Sequence, residues 1–451
     1  MTMRPSTEGV VTGSDDAFLA SYEQLESRDH GVVPPWLIAL RRAGIAHFGE
    51  LGFPTTEDEE WRFTNVGAIA SLPTHPAHSW DNPQPAAREL ERFTFGQMPS
   101  IRLVFIDGCF TPSLSSTELS AEGVEIHSLK NALQANVDWV QGHLGRYSGA
   151  DKNAFVALNT AMVEEGAAIR ILPNRRIEKP IHLLFVFNTT QRGASIHPRI
   201  LIVAERGSDA RVLESYECLQ EGETFTNVVT EIVMGEGTRL EHCRLQLESK
   251  RAFHVGTIHA HQARSSHLIT HSISLGAKLA RVNINPVLDA EGCECTLNGL
   301  YVVDGGQLVD HHTAIHHSKP HCNSHEFYHG ILDGKAQAVF NGKIFVRPEA
   351  QKTDAKQTNR NLLLSDEATI HTKPQLEIFA DDVKCTHGAT VGQLQDEAVF
   401  YLRSRGIGKD AARRMLVHAF ASDIINRISI EPVRTELDQI MFDLFEREPG
   451  V

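Results

Sequence analysis

The sequence predicts a mainly β protein built on a parallel β-helix, with helical regions before and after it. Apolar residues recur at helical spacing up to about residue 165 and again from Leu394, which indicates amphipathic helices at both ends. Residues 166–393 instead alternate apolar and polar side chains in short runs, as strands do. Tight polar turns precede several runs near positions 207, 237, 265 and 292, roughly 27 to 30 residues apart, a period typical of stacked solenoid rungs. A large β-sandwich is the alternative that this pattern leaves open.

The first region, residues 1–165, is predicted to be mostly helical with one strand. Helical spacing marks three segments, and the glycines at positions 49 and 52 suit the end of the first, because glycine often terminates helices. A short strand with a tight turn at Asp107–Gly108 lies between the first and second segments. The helical segments are PPWLIALRRAGIAHFGELG, SLKNALQANVDWVQGHLGRY and DKNAFVALNTAMVEEG, and the strand is IRLVFIDGCF.

The third region, residues 394–451, is predicted to be helical again, so the domains are 1–165, 166–393 and 394–451. Apolar stripes recur in DEAVFYLRSRGI, KDAARRMLVHAFASDIINRI and EPVRTELDQIMFDLFERE. We expect helices to cap the ends of the solenoid, because an uncovered terminal rung exposes unpaired strand edges and apolar surface.

Composition excludes several classes of partner. The chain has 451 residues and a net charge of −14, from 43 basic and 57 acidic side chains. Nucleic acid or an anionic membrane is not expected as the main partner, since either needs a basic patch. No window approaches 18 uncharged apolar residues, and the N-terminal stretch lacks the apolar core of a signal peptide. We therefore expect a cytoplasmic protein whose seven cysteines are reduced thiols.

A histidine-rich stretch raises the question of a metal site. Residues 309–330 contain seven histidines and one cysteine. Four of the histidines fall four residues apart, namely His317, His321, His325 and His329. On a helix these would share one face, but Pro320 and Asn323 interrupt it, and on a strand a step of four separates side chains by about 13 Å. We expect polar rung residues, some of them buried, and leave a weak or partner-completed metal site open.

Two pairs of chemically active residues have i, i+2 spacing, namely Cys293 with Cys295 and Cys385 with His387. In a strand this spacing places both side chains on one face, about 6.6 Å apart along the chain. Two ligands do not make a closed metal site. For Cys293 and Cys295 the spacing favours plain core cysteines, since Leu297 lies on the same face. For Cys385 and His387 the spacing alone is no stronger evidence of a metal site.

Common catalytic motifs are missing. The segment RGIGKDAA has only Gly-x-Gly-Lys and no complete phosphate-binding loop, so the chain is not expected to hydrolyse ATP by itself. The GxSxG and HExxH patterns are absent as well, which removes the usual signatures of serine hydrolases and zinc proteases.

The segment Ala350 to Ile407 strongly resembles the SufB/SufD family, the scaffold subunits of the SUF iron–sulfur cluster assembly machinery. The resemblance covers most of the chain and includes DEEWRFTNV (residues 58–66) and FIDGCFTPSLS (residues 105–115). Within the family, DDVKCTHGATVGQL and FYLRSRGI are similar to the SufD branch. The segment NGKIFVRPEAQKT lacks the SufB-type pattern, so accepting persulfide sulfur is expected to fall to a SufB partner.

This resemblance implies a right-handed parallel β-helix and a scaffold role without catalysis. It implies pairing with a SufB-like subunit and binding of a SufC-like ABC ATPase through the C-terminal helices, where Leu416 and Phe420 are candidate contacts. Cys385 and His387 are the candidate metal ligands, with the histidine favoured, for a transient iron–sulfur cluster shared with the SufB-like subunit. No cofactor is expected to bind tightly to the chain alone, a homodimer of the isolated chain stays open, and the subunit is expected to aid iron entry.

Two other functions compete with the scaffold role. β-Helices often serve carbohydrate-active enzymes, but these favour a secretion signal and acids gathered in one groove, and the sequence has neither. A zinc hydrolase using the histidine-rich stretch is the weaker alternative, and it predicts stoichiometric zinc in the purified chain.

Overall fold

Two parallel sheets, wound from one chain that alternates between them, form the centre of the molecule. The computed structural model describes residues 15–28, 33–77, 84–116 and 123–446. The strands are β1 His75–Pro76, β2 Ile101–Ile106, β3 Cys109–Phe110, β4 Val124–Ser128, β5 Gly166–Ile171, β6 Ile181–Phe187, β7 Ala194–Ile196, β8 Arg199–Ala204, β9 Asp209–Cys218, β10 Phe225–Met234, β11 Arg239–Gln246, β12 Phe253–Gln262, β13 His267–Ser274, β14 Leu279–Leu288, β15 Glu294–Val303, β16 Leu308–His317, β17 Asn323–Leu332, β18 Gln337–Val346, β19 Asp354–Leu363, β20 Thr369–Ile378 and β21 Lys384–Gly392.

Helices precede and follow this solenoid. They are α1 Asp15–Arg28, α2 Pro35–Leu51, α3 Gly67–Ala70, α4 Ala87–Leu90, α5 Leu129–Gln134, α6 Asp138–His143, α7 Ala154–Ala161, α8 Asp396–Ser404, α9 Lys409–Ile425 and α10 Glu431–Glu446. No helix in the described ranges is long and apolar enough to cross a membrane.

The strands stack in register as a parallel solenoid of about 8 turns. Sheet I runs β4-β5-β8-β10-β12-β14-β16-β18-β20, with β1 and β7 beside it, and sheet II runs β3-β2-β6-β9-β11-β13-β15-β17-β19-β21. The four turn positions marked by the sequence all have positive φ, at Gly207, Gly237, Ser265 and Gly292, a conformation that reverses the chain tightly and favours glycine. The predicted parallel β-helix is therefore confirmed, and the sandwich alternative is wrong.

The lumen between the two sheets holds apolar side chains together with many buried polar ones, such as Glu214, His242 and Arg244. Tyr328 fits because Gly299 lies beside it, where an added Cβ would be 2.1 Å from the tyrosine ring. Gly330 makes the same room for Tyr301. Cys293 and Cys295 are both buried in this core, as their spacing with Leu297 predicted.

The N-terminal helices cover the outer face of sheet I. Phe18, Phe48 and Phe155 pack there against Phe225 and Phe253, in one buried cluster. Burying large apolar side chains in this way stabilises the contact by about 1.5–3 kcal/mol each.

The DEEWRFTNV motif fastens the N-terminal region to later rungs of sheet I. The Arg281 guanidinium lies 3.6 Å from the centre of the Trp61 ring. The Thr64 hydroxyl donates to Asp310 at 2.5 Å. The DEEWRFTNV motif, which is one of the motifs that carry the family resemblance, therefore links the N-terminal region to β14 and β16 of sheet I.

The C-terminal helices cover the outer face of sheet II, where α9 contacts β15 and β17. Val417, Ala421 and Ile424 pack there with Leu300 and Ile331. The expectation that helices cap this end of the solenoid is wrong. The physical reason is the large buried apolar cluster that α9 and α10 form with the outer face of sheet II. In the described ranges, β21 pairs only with β19.

Candidate functional site at the end of the solenoid

Cys385 and His387 lie on the last strand of the solenoid, β21. In register with β19, Cys385 is opposite Ala355 and His387 is opposite Gln357. Ala355 and Gln357 are both buried. Because residues two apart share one face of a strand, the two candidate ligands project from the same face, at the rim of the lumen.

The two side chains differ in their surroundings. Cys385 is half-buried and packs beside a small apolar cluster that includes Ala355 and Leu376. This burial, together with the nearby Asp354 carboxylate, raises the pKa of the Cys385 thiol, so the thiol is protonated at neutral pH. The His387 side chain is exposed. The arrangement offers one sulfur and one imidazole to a ligand approaching from outside, which is half of a tetrahedral coordination sphere.

The end of the solenoid also exposes apolar side chains that the sequence analysis did not single out. Phe379 is 58% exposed, Val391 is 49% exposed and Ile378 is 38% exposed. All three lie in or directly after the last strand of a sheet. In the sequence, these apolar residues continue the alternating pattern of β20 and β21. That pattern does not show that β20 and β21 are the last strands of their sheets.

The histidine-rich stretch does not converge on a point. Its histidines divide between the lumen (His311, His317), the outer face of sheet I (His312, His316), the outer face of sheet II (His325, His329) and a turn (His321). Within the lumen, His311 is 3.2 Å from the Ser274 hydroxyl and His317 is 2.9 Å from the Ser324 hydroxyl. No group of three or more His, Cys, Asp or Glu side chains in the described ranges could hold a metal ion. The stretch therefore consists of rung residues, and the zinc hydrolase has no site here.

The C-terminal helices bury one side and expose another. Phe420 is half-buried, with its ring stacked 4.5 Å from His329, and its carbonyl oxygen is 2.9 Å from Nδ1 of that histidine. Leu416 is also half-buried. Four large apolar side chains of these helices are more exposed, namely Phe400 (71%), Tyr401 (59%), Met415 (51%) and Phe442 (54%). Phe420 therefore already packs against His329 within the chain. The four more exposed side chains are available for contact with a partner.

Comparison with known proteins identifies the family. Residues 185–420 match the model described as SUF system FeS cluster assembly, SufBD core domain, and residues 13–183 match the SufBD protein N-terminal region. An iron–sulfur cluster assembly SufBD family protein of Synechocystis is 35% identical over 412 residues, 89% of this chain and 90% of that protein. The iron–sulfur cluster assembly protein SufD of Escherichia coli is 32% identical, covering 88% of this chain and 90% of its own length. SufD of Bacillus subtilis is 26% identical over 96% of this chain and 99% of that protein.

The fold and these matches together define a β-solenoid subunit of iron–sulfur cluster assembly. The chain belongs to the SufBD family of the SUF system. Neither the carbohydrate-active enzyme nor the zinc hydrolase receives support from the geometry or the relatives.

Proposed function

We propose that this chain is a non-catalytic, SufD-like scaffold subunit that pairs with a SufB-like subunit and a SufC-like ABC ATPase in the cytoplasm. Together they build a nascent iron–sulfur cluster and pass it on, and this chain aids the entry of iron. The observation that carries the proposal is the uncovered last rung, which presents Cys385 and His387 beside exposed apolar residues.

The SufB-like subunit is proposed to dock at the end of the solenoid. Phe379 and Val391 supply apolar area there, and large exposed apolar side chains often mark protein–protein contact surfaces. The free edge of β21 supplies backbone donors and acceptors, since it has no strand partner in the described ranges and unpaired edges readily pair with another chain. The same features would allow a homodimer when the SufB-like subunit is missing.

The chemistry of the site suits a cluster that must be released. Iron and sulfide are the cargo, and this chain contributes the His387 imidazole and the Cys385 sulfur. The thiol must lose its proton to bind iron, and the raised pKa of Cys385 makes that binding weaker. A site split between two chains with few ligands holds a cluster less firmly than a closed four-thiolate site.

The SufC-like ATPase is proposed to bind the C-terminal helices. Leu416 and Phe420 remain candidate contacts, and the more exposed Phe400, Met415 and Phe442 extend the surface. The chain lacks a phosphate-binding loop, so ATP hydrolysis would come from this partner.

The central test is His387→Ala in the assembled three-protein complex. Because His387 is exposed, we expect the substitution to leave the fold intact, and co-purification of the three proteins checks that the complex still forms. We expect the yield of reconstituted cluster, followed by visible absorbance and iron content, to fall about tenfold or more, since ligand-environment changes typically cost 10–100-fold.

The matched control is His325→Ala, which removes a half-buried histidine from the outer face of sheet II. We expect this variant to assemble clusters like the unmodified protein. An unchanged cluster yield in the His387→Ala complex would remove His387 from the mechanism.

A further inference from the structure

Two cysteines occupy equivalent positions in consecutive rungs of sheet II. Cys293 directly precedes β15 and Cys322 directly precedes β17, and the first residues of these strands, Glu294 and Asn323, are opposite each other in the ladder. The Asn323 backbone N–H donates to the Cys293 carbonyl oxygen at 2.9 Å, so the parallel pairing extends to the two cysteines. Cys322 is the one cysteine of the histidine-rich stretch, and neither it nor Cys293 belongs to the site at the end of the solenoid.

The side chains of both cysteines turn toward the same backbone carbonyl group. The Cys293 sulfur lies 3.1 Å from the carbonyl oxygen of Ala290, and the Cys322 sulfur lies 3.2 Å from the same oxygen. The two thiols also hydrogen-bond each other, and neither is in a disulfide. The rungs therefore hold two reduced sulfurs side by side.

The backbone spacing at this pair suits a disulfide. Disulfides join residues whose Cα atoms are 4.4–6.8 Å apart, and neighbouring strands are about 4.8 Å apart. Cys295 is the contrasting case, since it is opposite Leu268 and Ser324 in the register and faces no thiol on either neighbouring rung. The geometry thus singles out Cys293 with Cys322, although Cys293 and Cys295 are neighbours in the sequence.

The pair is buried, but it lies just beneath the surface of the solenoid. Both cysteines are 0% exposed, whereas the turn residues Glu291 and His321, which closely precede them, are exposed. Surface turns open locally more easily than core strands, and hydrogen peroxide is little larger than water. The hydrogen bond from the Cys322 thiol lowers the pKa of Cys293 to about 7. Because the thiolate is the nucleophile, Cys293 is the better attacking sulfur.

We propose that Cys293 and Cys322 form a redox-modification site, which hydrogen peroxide converts into a disulfide between consecutive rungs. The Cys293 thiolate attacks one peroxide oxygen, and the O–O bond breaks to give a sulfenic acid and, after proton uptake, water. The Cys322 sulfur then attacks the Cys293 sulfur and displaces the hydroxyl group, which takes the Cys322 proton and leaves as a second water. Both sulfurs are oxidised, and the peroxide is reduced to two waters.

The disulfide would tie the turn before β15 to the turn before β17. It would close a loop of about 30 residues, and such a cross-link stabilises a fold mainly by restricting the unfolded chain. The stability of these rungs would then depend on their oxidation state, and a thiol reductant would reverse the change. This site does not rest on the proposed scaffold function.

The test treats the reduced, purified full-length chain with hydrogen peroxide, blocks the remaining thiols and digests the protein without reductant. A protease that cleaves at aspartate separates the two cysteines, since Asp304 and Asp310 lie between them. We expect mass spectrometry to find the Cys293 and Cys322 peptides linked, and the link to disappear with dithiothreitol. The half-buried Cys385 reports that peroxide has acted. Oxidised Cys385 without the link between the two peptides would overturn the site.

Three serine variants identify the sulfurs, because Cys293 and Cys295 fall in the same peptide. We expect Cys293→Ser and Cys322→Ser to abolish the link and Cys295→Ser, the matched buried control, to retain it. A link that survives in Cys293→Ser and is lost in Cys295→Ser would overturn the assignment.

Thermal unfolding tests the consequence of the cross-link. We expect peroxide to raise the unfolding midpoint of the unmodified chain by about 3 °C or more relative to identically treated Cys322→Ser. A linked chain with no such rise would overturn the stabilising role of the disulfide.

Discussion

The early strand β8 and the last strand β21 both pair in parallel with their neighbours but have opposite burial. All six positions of β8 are buried, whereas eight of nine positions of β21 are exposed. β8 is flanked by strands on both sides and covered by helices, while β21 has a partner on one side only in the described part of the chain. The comparison shows that a strand pattern in the sequence can predict a rung of the solenoid. Whether that rung is core or contact surface also depends on the strands and helices that pack beside it.

The largest expected effect comes from placing the same substitution in both regions. Gly299→Val drives a side chain into the Tyr328 ring, where even a Cβ would be 2.1 Å away, and we expect a loss of more than about 3 kcal/mol in the free energy of unfolding. Gly388→Val on β21 meets nothing within 4 Å, so the change should stay within about 0.5 kcal/mol. Urea unfolding of both variants measures the difference. Equal destabilisation would mean that the last rung is packed as tightly as the interior.

A second prediction concerns the apolar residues at the uncovered end. In the double variant Phe379→Asp with Val391→Asp, charges replace two side chains that are 58% and 49% exposed. We expect binding of the SufB-like subunit to weaken by up to about 100-fold, because each half-exposed residue would bury apolar area worth about 0.75–1.5 kcal/mol in the complex. Surface plasmon resonance with the purified subunit measures the affinity.

The thermal stability of this double variant is its internal control, since surface substitutions usually change stability by no more than about 0.5 kcal/mol. A folded double variant that still binds the SufB-like subunit at full affinity would show that pairing uses another surface.

Local chemistry explains why the solenoid itself could be predicted. The turns at Gly207, Gly237 and Gly292 need positive φ, and glycine supplies this at little steric cost, so the repeat is visible in the sequence. The placement of α9 on sheet II was not predictable in the same way. The outer faces of both sheets carry apolar clusters, and a helical stripe does not specify which apolar surface it will cover.

The candidate site was partly hidden for a related reason. Cys385 and His387 were found through family resemblance, and their spacing alone did not distinguish them from Cys293 and Cys295.

The smallest expected effect comes from substitutions in the C-terminal helices, which have one buried side and one exposed side. Their buried side covers sheet II through Val417 and Ala421, so point substitutions are a cleaner test than deletion, which would uncover that sheet. We expect Phe400→Ser with Phe442→Ser to weaken binding of the SufC-like ATPase about tenfold, because both rings are more than half exposed and only part of their area would be buried on docking.

The matched control for this pair is Phe379→Ser, which removes an equally exposed ring from the other surface. It should weaken binding of the SufB-like subunit and leave the ATPase affinity unchanged, while the helix variant should do the reverse. If both variants weakened both partners, the two surfaces would act as one, and the separation between solenoid end and helices would not hold. If the helix variant retained full ATPase affinity, the half-buried Leu416 and Phe420 would become the contacts to test next.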